Sequence, residues 1–340
     1  MIRILAFRLI AFLMATCLLS CVHEFPEPPS VLPATLTVRH ELPWRLYEFT
    51  YDGTRGVGRG DAPGELEARY IFEIYPEGTT DIPVKRMELR RQDLTLADFT
   101  MMLDLPVGHY DVWVWNDFVE AGSWDDLFYD TADFGKITYT LPYKGDTEQK
   151  DAFRGMFSVD VPSGIEADVR QDYEVTLRRP LTSHAFLSED IEEFIRLESS
   201  RRGISLPENQ SEWKNGFDFD SYTAHFTYTG YLSSTYSIFE NRPVDSLTGV
   251  SFKGNLRVVD GREVLIGFDY FFINGKESSI NVAVEIFDSK GTRVSYVPSM
   301  TIPVERGRAT IVRGDFLTSK ASGGVGVNPG FNGSFDIELK

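Results

Sequence analysis

A chain of 340 residues with 51 acidic side chains against 34 Lys and Arg carries a formal net charge of −17, which repels nucleic-acid phosphates and anionic lipid headgroups and argues against both as partners. Its two cysteines, Cys17 and Cys21, both fall in the first 21 residues, so no disulfide framework staples the fold. Aromatic content of 13 %, with 25 Phe and 15 Tyr spread along the chain, suits packed β-sheet and argues against a disordered stalk.

The chain begins with Arg3 and Arg8 as a positive n-region, an apolar run from Ile10 to Leu19, and Leu18-Leu19-Ser20-Cys21. About ten apolar residues fall short of the ~20 that span a bilayer, so residues 1–20 read as a removable export signal. A plain secretory peptide with an incidental cysteine is the bland alternative. Ser20 directly before Cys21 fits a bacterial lipoprotein signal, and after cleavage Cys21 has no partner thiol, so it is expected to carry the lipid. The membrane is thus reached only through that N-terminal lipid.

Residues 21–33 hold Pro26, Pro28, Pro29 and Pro33 and read as an extended tether. From Ala34 the chain alternates, with Ala34, Leu36 and Val38 on one face, as in a half-buried strand. Gly53–Gly64 is a Gly-rich loop that lacks the Gly-Lys-Ser/Thr ending of a phosphate-binding loop. Its Arg59-Gly60-Asp61 tripeptide is a weak integrin-type pattern, and a solvated loop is the better reading.

Strands are predicted over Ala68–Tyr75, Val84–Arg91 and Phe99–Leu105, the last turning through Pro106-Val107-Gly108 into Tyr110–Trp115 as a hairpin. Both faces of Tyr110–Trp115 carry large apolar groups, which places that strand centrally in a sandwich. Residues 116–135 read as an irregular, solvated acidic loop whose spacing does not match a calcium-binding loop. Strands follow at Lys136–Leu141, Arg154–Val161 and Val169–Arg178, with Pro180 as the domain boundary.

Beyond it, Ser188 caps one short helix with Leu187, Ile191, Phe194 and Ile195 on one face. Strands resume at Ala224–Tyr231, Val250–Val259 and Val264–Ile273. Asn274-Gly275 then signals a hairpin into Ser279–Phe287, and Asp288–Gly291 a second turn into Arg293–Pro298. Thr301–Val304, Ala309–Val312 and Ser334–Leu339 complete the set. The fold class is therefore all-β: two tandem sandwiches, 34–180 and 181–340, with one short helix.

No catalytic set emerges. His23, His40, His109, His184 and His225 are scattered, with no metal-binding His pair on a helix and no Gly-x-Ser-x-Gly elbow. Nothing singles out a glycosidase-like pair among the 51 acids. A non-enzyme without cofactor or metal is expected.

Leu105–Trp115, Ile302–Thr318 and Asn328–Asp336, with the lipoprotein start, make the chain resemble the fimbrillin-like surface lipoproteins of Bacteroidales, in particular the branch of minor-fimbria anchoring subunits. That resemblance implies two transthyretin-like sandwiches, a lipid-held place at the outer-membrane surface, and partnership with fimbrial subunits by β-strand donation. Polymerising members are cut after an arginine in the first domain, and Arg55 and Arg59 lie in a loop suited to such a cut. An anchor would not need it. A host or glycan ligand fits the same location. The alternative function is a glycan-binding surface lipoprotein of a nutrient-uptake system, in which Trp113, Trp115, Trp124 and Trp213 would form an exposed platform.

Overall fold

The computed structural model describes residues 31–41, 65–162, 171–259, 263–319 and 334–339. The expected export signal, Cys21, most of the expected proline tether, and Arg55 and Arg59 lie outside the described residues.

The first half builds one sandwich. Strands β1 (Val31–His40), β4 (Phe99–Pro106) and β9 (Gln171–Leu177) form a sheet in the order β4-β1-β9. Strands β2 (Leu66–Pro76), β3 (Lys85–Arg91), β5 (Gly108–Glu120) and β8 (Phe153–Val161) form the facing sheet, ordered β3-β2-β5-β8. Their inner faces close a core of Leu36, Val38, Tyr70, Phe72, Val112, Val114, Phe157 and Val175. Period-two alternation produces it: even positions of β5 point inward, while Trp113 and Trp115 point to the opposite face.

That opposite face is covered too. Strand β6 (Tyr129–Asp130) pairs with β7 (Ile137–Tyr139), β7 with β12 (Leu232–Ser237) and β12 with β13 (Arg242–Leu247), in the order β13-β12-β7-β6. Trp115 is fully buried there, its ring 5.5 Å from that of Tyr129 and 6.3 Å from that of Tyr236. The apolar character of both faces of β5 thus follows from a sheet sandwiched on each side.

The second half adds two sheets. β10 (Leu181–Ser188), β15 (Arg257–Val259), β16 (Glu263–Phe272), β19 (Arg308–Gly314) and β20 (Ser334–Leu339) run in the order β15-β16-β10-β19-β20. β11 (Tyr222–Tyr228), β14 (Ser251–Asn255), β17 (Glu277–Asp288) and β18 (Arg293–Glu305) run in the order β14-β11-β17-β18. Ile280, Val282, Val284 and Ile286 line the buried face of β17 as their alternation requires. Helix α1 (Ile191–Arg202) packs Ile191, Phe194 and Ile195 on the core and ends at Gly203, whose φ of 66° lets the chain leave by a left-handed turn. A single-turn helix α2 (Trp213–Gly216) follows.

The all-β sandwich class holds, with several local corrections. Pro106-Val107-Gly108 does not close a hairpin: β4 pairs with β1, and β5 with β2 and β8, so the corner carries the chain from one sheet to the other. Asn274-Gly275 likewise hands the chain from β16 to β17, which lie in different sheets, whereas Asp288–Gly291 does make the β17–β18 hairpin. The Val250–Val259 run is split at Leu256 into strands of two sheets. Ser188 does not cap α1. The N-cap position is Asp190, and Ser188 Oγ instead accepts the N–H groups of Phe316 and Leu317.

The acidic stretch 116–135 is not a purely solvated loop. β5 runs through it to Glu120, and Asp117 is buried in a fork with Arg69, Nε to Oδ1 at 2.8 Å and Nη2 to Oδ2 at 2.7 Å. Asp126 meets the remaining Arg69 nitrogen at 2.6 Å. Asp130 and Asp133 accept backbone N–H groups two residues ahead, which is how aspartate shapes a turn.

Candidate functional site

β1 occupies a slot. It is hydrogen-bonded along both edges, antiparallel to β4 from Val31↔Pro106 to Val38↔Phe99 and parallel to β9 from Ala34↔Gln171 to His40↔Leu177. Leu36 and Val38 are completely buried and Ala34 nearly so. Leu36 and Val38 each contribute ~1.5–3 kcal/mol as their large aliphatic groups leave water. Without β1, the inner edges of β4 and β9 would lie bare and the core would open between them.

The end of the strand is pinned by chemistry as well as packing. His40 Nε2 lies 3.2 Å from Asn116 Oδ1, and its ring meets Phe153 edge-on at 5.0 Å. Burial holds the imidazole below its ordinary pKa, so the neutral form fits this apolar corner. Arg39, on the outer face, lies 3.5 Å from Asp98 and 3.3 Å from Glu174. These exposed pairs add register rather than much energy.

β3 and β4 are the edge strands on the other side of this sandwich. β3 is guarded by Lys85, Arg86, Arg90 and Arg91, which discourage pairing with a further strand. β4 carries the half-exposed Met102, and a shallow hollow between the two edges is lined by Val84, Lys85, Leu105 and Tyr110.

The four tryptophans do not form a platform. Trp115 is in the interior, and Trp113 packs edge-on against Phe239 under the Arg154 guanidinium. Trp213 donates its indole N–H to the Pro207 carbonyl at 2.8 Å. Trp124 alone of these stands out in solvent, 86 % exposed, with Arg90 over its ring. Among the described residues no group of three or more His, Cys, Asp or Glu is placed to hold a metal, and no helix is long and apolar enough to cross a membrane.

Sequence reasoning missed a buried polar cluster centred on Lys150 and Asp269, which are 119 positions apart. Lys150 sits in the polar run Gly145-Asp-Thr-Glu-Gln-Lys150, where no local pattern distinguishes an interior lysine from a surface one.

A family model described as a family of unknown function, DUF6562, matches residues 29–340. The chain belongs to the DUF6562 family. No curated protein matches this DUF6562 member. Among solved structures it is similar to a candidate cell adhesion protein of Bacteroides eggerthii, at 12 % identity and TM-score 0.44, over 92 % of this chain and 97 % of that one. It is also similar to a candidate polysaccharide-binding protein of Bacteroides thetaiotaomicron, at 10 % identity and TM-score 0.42, over 78 % and 80 %. A third similarity is to the fimbrial anchor protein Mfa2 of Porphyromonas gingivalis, at 11 % identity and TM-score 0.37, over 83 % and 90 %.

Proposed function

We propose that this chain is a non-enzymatic, fimbria-like adhesin or anchor subunit of the outer-membrane surface. It is held there by acyl chains on Cys21 and joined to other fimbrial subunits by strand exchange, its two sandwiches spanning 34–180 and 181–340. The observation that carries the reading is β1: a middle strand bonded on both edges and joined to β2 by residues 41–65. Cleavage after Arg55 or Arg59 would leave β1 held by noncovalent contacts alone. Its departure would then offer another subunit's extended segment the same backbone bonds and the same pockets for alternate side chains.

Mass spectrometry of the N-terminus of the surface protein, with its co-purified partners, tests this. An acylated Cys21 on protein co-purifying with a fimbrial ladder supports an uncut anchor. An N-terminus just after Arg55 or Arg59, which removes Cys21, rejects the lipid-held, uncut anchor and indicates a shaft subunit with an opened slot. An unlipidated, intact protein without subunit partners rejects the reading.

A further inference from the structure

The link between β7 and β8 carries Lys150 into the interior. Its ammonium lies 2.7 Å from Asp269 Oδ1 on β16, and the two side chains are 2 % and 0 % exposed. The rings of Tyr139 and Tyr143 wall the lysine, their centroids 4.8 and 3.7 Å from Nζ. Asp269 Oδ2 points the other way and accepts the hydroxyl protons of Tyr143 at 2.6 Å and Tyr228 at 2.7 Å. The N–H of Tyr270 donates to Oδ1 at 2.9 Å, and His184 Nε2 backs the Tyr228 hydroxyl at 2.9 Å. The two carboxylate oxygens are thus dressed for different fates: one faces an amine, the other a pair of hydroxyl donors.

Burial draws the lysine pKa down to about 8 against the pull of Asp269, and raises that of the carboxyl, so each group is moved toward its uncharged form. A buried pair of this kind is a poor source of stability, since apolar residues of like volume commonly do as well.

We propose that Lys150 and Asp269 condense to an intramolecular amide, a covalent cross-link formed by the fold itself. Nζ attacks Cγ, and charge developing on Oδ2 is held by the Tyr143 and Tyr228 hydroxyls, as an oxyanion hole holds an acyl-transfer intermediate. Two of the three ammonium protons pass to Oδ1, which leaves as water. One C–N bond forms, one C–O bond breaks, the ammonium and carboxylate charges cancel, and nothing is oxidised or reduced. Fixed proximity supplies the high effective concentration such a reaction needs, and the aromatic walls keep water from reversing it. The bond ties the link that precedes β8 to the middle of the second half's five-stranded sheet, independently of any role in subunit assembly.

Tryptic digestion of the denatured, full-length protein followed by mass spectrometry tests this. The expected product is a branched peptide joining residues 145–154 to 263–276, uncleaved at Lys150 and lighter by one water than the two peptides together. Lys150→Met removes the nucleophile and abolishes the branch. Asp269→Asn still gives the same branch, with ammonia lost in place of water. Wild-type protein that yields the linear peptides, with cleavage after Lys150, overturns the proposal, as does a loss of water mapped to any other residue.

Discussion

The Arg179 guanidinium forks onto Asp151, with Nε 2.7 Å from Oδ1 and Nη2 2.6 Å from Oδ2, both side chains almost free of solvent. Arg179 leaves β9 and Asp151 enters β8, so the pair locks the exit of one sheet to the entry of the other. Beside them, Arg154 and Arg178 exchange backbone bonds at 2.9 and 2.8 Å. Removing one partner strands a buried charge. Asp151→Ala or Arg179→Met is expected to cost ~3–5 kcal/mol each, and the double variant Asp151→Leu/Arg179→Met distinctly less than the sum. Urea denaturation midpoints of the three variants check this.

The slot makes a prediction of its own. Leu36→Ala should cost ~2–5 kcal/mol, since a fully buried leucine leaves a cavity between β4 and β9. Leu36→Asp should loosen β1 itself, seen as faster amide exchange in residues 34–40 than in β5. Equal protection of both strands in that variant would mean that β1 does not open separately.

Turn chemistry was legible in the sequence, but its topological meaning was not. Asp288–Gly291, Asn274-Gly275 and Pro106-Val107-Gly108 all reverse or bend the chain, as their glycines and proline allow. Only the first returns it to the same sheet, because which sheet receives the next strand depends on long-range burial. The alternation that predicted β17, and the apolar run that predicted residues 110–115 of β5, are local and were readable. The Arg69–Asp117 fork and the Lys150–Asp269 pair join residues far apart, and their charges look like surface charges when read in place.

His184 gives an acid-side signature. Burial pulls its pKa down to about 3 from 6.5. Tyr228 faces it at hydrogen-bond distance, with Asp269 behind. The unfolded chain takes up a proton between those values that the folded chain does not, so this histidine's contribution is intact above pH 6.5 and is lost as pH falls, by about 1.4 kcal/mol per unit. Asp146 works in the opposite sense from 3.8 to about 6, because burial raises its pKa. The stability difference between wild type and His184→Gln should therefore shrink as pH is lowered from 6.5 to 4, read from paired thermal melts.

Trp115 and Trp124 should separate packing from surface. Trp115→Ala is expected to cost ~3–5 kcal/mol, because its ring fills the contact between β5 and the sheet containing β7 and β12. Trp124→Ala should stay within ~0.5 kcal/mol of wild type. Their thermal melts distinguish the two directly, and loss of glycan retention in Trp124→Ala would revive a carbohydrate role for that exposed ring.

The two-sided bonding of β1 also decides how the sandwich bears a load. A pull along the strand axis from the Val31 end meets its hydrogen bonds to β4 and β9 in shear, so many must give way together rather than one after another. A pull across the sheet would peel the same strand open a rung at a time. The direction of tension, as much as its size, sets whether the first sandwich holds.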